Sequence, residues 1–230
     1  MKHLRNISKR VWIIAMLTIT GLAVQAQNRS YIRDQIKEWG ECRNVALTKS
    51  NGNIALYGQN GYAASNIPTQ LSDAIKELHA QNEYIDDIEL TENGSWVLLY
   101  GDNGLRWSNI PSRLEKVLRE YNEDQEVITT VTFNDAGEWI VVSTDHFTTS
   151  DSEFTDWLKD GMERYGKIWT ACMTNDGLVA VFEDGYKFYG NVPSDLKAAL
   201  KSTDLNVYRL KISGTAWFFA DKYGSYQYNM

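Results

Sequence analysis

Cysteine, proline and histidine are all scarce in this chain: 230 residues hold 2 Cys, 3 Pro and 3 His. Two cysteines, Cys42 and Cys172, cannot make a disulfide framework. One bond between them in an oxidising compartment is the most they allow, and two unpaired buried thiols are the simpler reading. Three histidines leave no zinc-ligand spacing, and neither a phosphate-cradling glycine loop nor a Ser-His-Asp signature occurs. No metal or cofactor is therefore expected. Basic residues are outnumbered as well, 23 Lys and Arg against 30 Asp and Glu. Four of the 23 (Lys2, Arg5, Lys9, Arg10) lie in a segment read below as removable, which leaves 19 against 30 and a charge of −11. That balance argues against nucleic acid and against an anionic membrane surface as partners.

Long apolar runs are missing too, except at the start. A basic stretch ends at Arg10, an uncharged run follows from Val11 to Val24, and Val24-Gln25-Ala26 offers small residues for a cut after Ala26. The run is shorter than the ~20 residues that span a bilayer. Residues 1–26 are thus expected to be a secretory signal peptide, and 27–230 a single exported domain, periplasmic or secreted, without a membrane span. No cysteine stands near the cut to carry a lipid.

What the chain has in abundance is a repeat. Its three prolines fall in Asn66-Ile67-Pro68, Asn109-Ile110-Pro111 and Asn191-Val192-Pro193, spaced by one period of 43 and two of 41 residues. Ser or Thr recurs beside them at 30, 69, 112, 152 and 194, with Asp151 standing where the fourth register lacks proline. Each Ser/Thr is expected to cap a helix, since its oxygen can accept from the free N–H groups of the first turn. The apolar spacing beyond it is helical, as in Leu71, Ala74, Ile75, Leu78 and in Leu114, Val117, Leu118, Tyr121.

Short β-type runs punctuated by glycine follow every helix. The first series is Val45–Leu47, Ile88–Leu90, Val131–Phe133, Ala171–Met173 and Leu210–Ile212. The second is Ile54–Tyr57, Trp96–Tyr100, Trp139–Ser143, Leu178–Phe182 and Trp217–Ala220, and a short third strand closes each unit. The chain therefore reads as α+β, with five tandem helix–strand–strand–strand repeats over about 30–66, 67–109, 110–150, 151–191 and 192–230. An open repeat stack needs polar terminal caps. Here Trp217-Phe218-Phe219 makes the last unit as apolar as the middle ones. Closure as a five-fold propeller-like ring is favoured, with the open stack as the alternative.

This unit order resembles the five-fold α/β propellers typified by guanidine-modifying enzymes (the pentein fold), and a five-bladed β-propeller with helical connections. The Trp/Tyr-Gly-x-Asn-Gly…Ile-Pro pattern also resembles tandem ~41-residue repeats of bacterial exported proteins whose activity is uncharacterised. The pentein resemblance implies Cys, His and paired carboxylates converging at a ring centre, and only Cys172 with His146 could supply the couple. A Cys-nucleophile hydrolase or transferase is the alternative function. The main expectation is an exported non-catalytic binding or scaffold module for a protein, peptide or glycan ligand.

Candidate ligand residues are the third-strand aromatics Trp107, Phe188, Tyr189, Tyr226 and Tyr228, which sit in more polar sequence. Asp145 and His146 are candidates because they interrupt the repeat inside Thr144–Ser150. Trp96, Trp139 and Trp217 share one repeat position and are expected to pack between units. Gln59, Asp102, Asp145, Asp184 and Asp221 share a second-turn position, where Asp and Asn serve tight turns.

Overall fold

A computed structural model describes residues 29–230; the signal-peptide assignment lies outside them. Unit one comprises helix α1 (29–39) and strands β1 (Asn44–Leu47), β2 (Asn53–Tyr57) and β3 (Gly61–Ser65). Unit two has α2 (Thr69–Ala80), β4 (Ile85–Leu90), β5 (Trp96–Tyr100) and β6 (Gly104–Ser108). Unit three has α3 (Ser112–Glu123), β7 (Ile128–Phe133), β8 (Trp139–Ser143) and β9 (Phe147–Thr149). Unit four has α4 (Ser152–Tyr165), β10 (Ile168–Met173), β11 (Gly177–Phe182) and β12 (Gly185–Gly190). Unit five has α5 (Ser194–Ser202), β13 (Arg209–Ser213), β14 (Ala216–Ala220) and β15 (Tyr226–Asn229). The fold is α+β, and each unit forms its own three-stranded antiparallel sheet in chain order.

Why the middle strands read as continuous apolar runs follows from their two-sided burial. In β5, Trp96 and Leu98 enter a core with Ile54 and Leu56 of β2 and Leu71, Ile75 and Leu78 of α2. The alternate residues Val97 and Leu99 enter the next core, with Leu114 and Leu118 of α3 and Trp139 and Val141 of β8. The same alternation splits Ile140 and Val142 from their neighbours in β8, and Val179 and Val181 from theirs in β11. Each helix is thus the filling between two successive sheets. The equal placement of Trp96, Trp139 and Trp217, all buried, fits packing between units.

The fifth such core joins the two ends of the described chain. Ile32 and Ile36 of α1 and Val45 of β1 pack with Phe218 and Ala220 of β14, with Tyr226, Tyr228 and Met230 against them. The Cys42 amide donates to the Gly224 carbonyl at 2.9 Å, and the Arg33 guanidinium to the Met230 carbonyl at 3.3 Å. Among the first strands, β1 touches β4 and β13, β4 touches β7, β7 touches β10, and β10 touches β13.

One local expectation needs correction. Thr69, Ser112 and Ser194 do not cap: Pro68, Pro111 and Pro193 themselves occupy the N-cap, with no side-chain bond. Proline supplies extended backbone there (φ −51 to −56°, ψ 132 to 138°) and needs no N–H at a position that has none to pair. Ser30 is already helical. The one side-chain cap among these four helices is Asp151, which accepts from the Glu153 amide at 2.7 Å. Asp151 therefore does by hydrogen bond what proline does by geometry. In the second turns, left-handed backbone falls on Gly58 and Gly101 (φ +52° and +56°) rather than on Gly61 and Gly104. The latter two are small for a different reason, because a Cβ there would run into the rings of Tyr57 and Tyr100.

These caps make opposed predictions. Asp151→Ala should lower stability by about 1 kcal/mol, whereas Ser112→Ala, one residue inside its helix, should change it by no more than a few tenths. Chemical denaturation of both variants checks this. An equal loss in each would return the cap to the serine.

Candidate functional site

Strand register aligns the five inner strands. Val45, Ile88, Val131, Ala171 and Leu210 pair with Ala55, Leu98, Val141, Ala180 and Phe219. By two-residue alternation, the residues on either side of each point to the opposite face of their strand. Before the aligned position stand Asn44, Asp87, Thr130, Thr170 and Arg209; after it stand Ala46, Glu89, Thr132, Cys172 and Lys211. All ten are buried. The units that repeat so closely in their packing residues vary here, with only Thr130 and Thr170 alike at one register position.

These side chains pair with one another. Asn44 Nδ2 donates to Asp87 Oδ1 at 2.6 Å, Thr132 Oγ1 donates to Glu89 Oε1 at 2.9 Å, and the hydroxyls of Thr130 and Thr170 meet at 3.1 Å. Those bonds join consecutive units. Unit five instead reaches across to unit two: Lys211 Nζ lies 2.9 Å from Asp87 Oδ1 and 2.7 Å from Glu89 Oε2, and Arg209 Nη2 lies 2.7 Å from Asp86 Oδ2. Two cations thus face three carboxylates. Burial opposes ionisation of Asp87, but Lys211 and Arg209 outweigh it and hold this carboxyl below the ordinary aspartate value. At Glu89 burial wins, with Lys211 offsetting only part of it, so that carboxyl is raised.

Above this floor opens a cleft of about 60 Å³, lined from all five units. Glu89, Cys172 and Lys211 form its base, and Lys49, Glu92 and Asp135 stand at its lip. The lip is tied turn to turn: the amides of Lys49 and Ser50 donate to the Glu92 carboxylate, that of Asn93 to Asp135 Oδ1, and that of Asp135 to Asn175 Oδ1. Such a space has room for water or for the end of a polar ligand.

The sequence candidates lie elsewhere and apart. Trp107 packs on the core shared by units two and three, with the Arg119 guanidinium over its ring. Phe188 packs in the core of units four and five beneath Lys197. Tyr189 keeps 37% exposure, its hydroxyl donating to Glu153 and its ring edge-on to Phe154 and Trp157. Tyr226 and Tyr228 stack with Phe218 in the core that joins units one and five. Asp145 and His146 are exposed on the β8–β9 turn, with His146 edge-on to Tyr121 and 3.5 Å from Glu126. The second-turn acids remain turn residues; Asp221, for one, accepts from the amides of Tyr223 and Ser225. Among the described residues no three His, Cys, Asp or Glu side chains gather as a metal ion would require.

Cys42 and Cys172 are both free and sit in different cores. The charged neighbours of Cys172 are Glu89, Lys211 and Asp87, not His146. Burial, then the Glu89 carboxylate, push its thiol up to about 12, the reverse of what activates a nucleophile. The sequence reading passed over Asp87 and Lys211 as partners. Their signal was present: charges of opposite sign alternating with apolar residues inside short strands, Asp87-Ile88-Glu89-Leu90 and Arg209-Leu210-Lys211-Ile212. No family model and no curated protein matches the chain.

Lys211→Met should cost about 3–5 kcal/mol, because it strands buried carboxylates without their cation. Glu89→Gln, which keeps the side chain's shape and removes a charge that burial opposes, should cost less. Asp87 has a lowered folded-state value, so its contribution is present above the unfolded aspartate value of about 3.9 and is lost as pH falls below it. Urea titrations from pH 7 to pH 3 should show that acid loss in the native protein and a smaller one in Asp87→Asn.

Proposed function

We propose that the mature chain is an exported, non-catalytic binding or scaffold module, built as a closed five-bladed ring and taking a protein, peptide or glycan ligand. Closure is supported by the chain of contacts among inner strands, in which β1 meets both β4 and β13, and by the core shared by units one and five. The binding reading is carried by one observation. Residues where the inner strands meet vary among the units, and their charges are spent on one another rather than on an activated nucleophile. A ring with a locked, asymmetric polar centre is a rigid platform for the loops on its two faces, and rigid elements hold a recognition surface in register. Export fits the expected signal peptide, and among the described residues no helix is long and apolar enough to cross a membrane.

The test sets this reading against the Cys-nucleophile alternative. Native protein and Cys172→Ser are assayed for ammonia or urea release from arginine and agmatine, and for saturable binding on glycan and peptide arrays. The expected result is no turnover by either protein and array binding that the serine variant retains. Turnover that disappears in Cys172→Ser would establish the enzyme instead, and no saturable binding on either array would remove the module reading.

A further inference from the structure

At the other end of the inner strands, units four and five enclose a pocket of about 370 Å³ lined by Trp169, Asn206, Tyr208, Asp221, Lys222 and Tyr223. Its size falls in the range of small-molecule sites. We propose that this pocket binds a neutral saccharide unit, a reading that rests on the binding-module assignment and names its ligand class.

The three rings stand at places where the residue type or the loop length differs between units. Trp169 is the residue left unpaired where the register slips between Ile168 and Thr170. Units two and three carry the same bulge with Asp86 and Thr129 in that place, and a bulge re-aims the side chain it frees. Tyr208 occupies the corresponding position ahead of β13, where unit one has Arg43. Tyr223 rides on the loop 221–225 between paired Ala220 and Tyr226, which is longer than the loop 101–103 between Tyr100 and Gly104. At 75% it is the most exposed of the large apolar side chains among the described residues. The loop is nonetheless braced: Asp221 Oδ1 accepts from the amides of Tyr223 and Ser225 at 2.8 and 2.9 Å, and the Asp221 amide donates to the Ser225 carbonyl at 2.9 Å. A ring held out in solvent by a fixed loop is pre-organised for contact.

Charge selects among ligands. The Arg209 guanidinium already lies 4.1 Å from the Tyr208 ring centre and the Lys222 ammonium 4.9 Å from that of Tyr223. A cationic ligand would compete with both for the ring faces, and the lining sets one carboxylate, Asp221, against one ammonium, Lys222, so it offers an anion no net charge. A neutral ligand with apolar C–H faces and many hydroxyls meets neither obstacle. Its faces would lie on the rings. Its hydroxyls would find the Asn206 amide, which has no hydrogen bond among the described residues, the second oxygen of Asp221 and the Lys222 ammonium.

The experiment is a ¹H–¹⁵N titration of the full chain with chitotriose, cellotriose and maltotriose, reading the Trp169 indole and the Tyr223 amide. At least one trisaccharide should move both saturably. Tyr223→Ala, a change at an exposed ring, should weaken that binding about tenfold while the rest of the spectrum stays dispersed. If none of the three moves these signals, or Tyr223→Ala binds as tightly as native protein, the saccharide pocket is wrong. The array result then separates the two readings: retained peptide binding leaves the module standing without this pocket, and silence on both arrays removes both.

Discussion

Every middle strand in this fold is apolar on both faces, and a strand of that kind needs a packed neighbour on either side. Val97 and Leu99 turn toward α3 while Trp96 and Leu98 turn toward α2, so β5 belongs to two cores at once. No unit can bury itself, which is the general condition of repeat proteins. The same demand holds at the ends, where Phe218 and Ala220 of the last unit would face water without Ile32, Ile36 and Val45 of the first. From that one requirement follow the shared core of units one and five, the meeting of the inner strands, and the enclosure of whatever side chains those strands send inward.

Contact among the first strands explains the polar cluster, because it buries the residues that these strands turn toward one another. A buried ion pair adds little stability over an apolar equivalent, but it can fix a particular arrangement. The five apolar interfaces are near copies and discriminate poorly among themselves. Placing Lys211 and Arg209 in unit five opposite Asp86, Asp87 and Glu89 in unit two makes those units unlike the rest. The charges thus set units two and five apart from the other three, and burial raises the carboxyl of Glu89 against the pull of Lys211.

Legibility in the sequence tracked physical cause. The strands Trp96–Tyr100 and Trp139–Ser143 were readable to the residue, because two-sided burial writes itself as an unbroken apolar run. Three of the inner strands, β4, β7 and β10, were readable only in their second halves. Asp86-Asp87, Thr129-Thr130 and Trp169-Thr170 look like loop, yet the β4, β7 and β10 ladders extend through them with a bulge. Helix starts were misplaced by one residue, since proline and Asp151 can both hold an N-cap and only the latter shows it by a hydrogen bond. The site was hidden for another reason: Glu89 and Lys211 are 122 residues apart, and nothing local connects them. Trp107 and Tyr228 are half-buried against their cores, whereas Tyr223, on its lengthened loop, stands out in solvent.

The central claim is that the first and last units meet and that the whole depends on it. Amide hydrogen exchange measures this directly, in the full chain and in one ending at residue 216. The Cys42 amide, bonded to Gly224, should be strongly protected in the full chain. In the shortened chain it should exchange freely, and the amides of α1, β1 and the inner strands of units two to four should lose protection together. Loss confined to unit four, with α1 and β1 as protected as before, would contradict the ring.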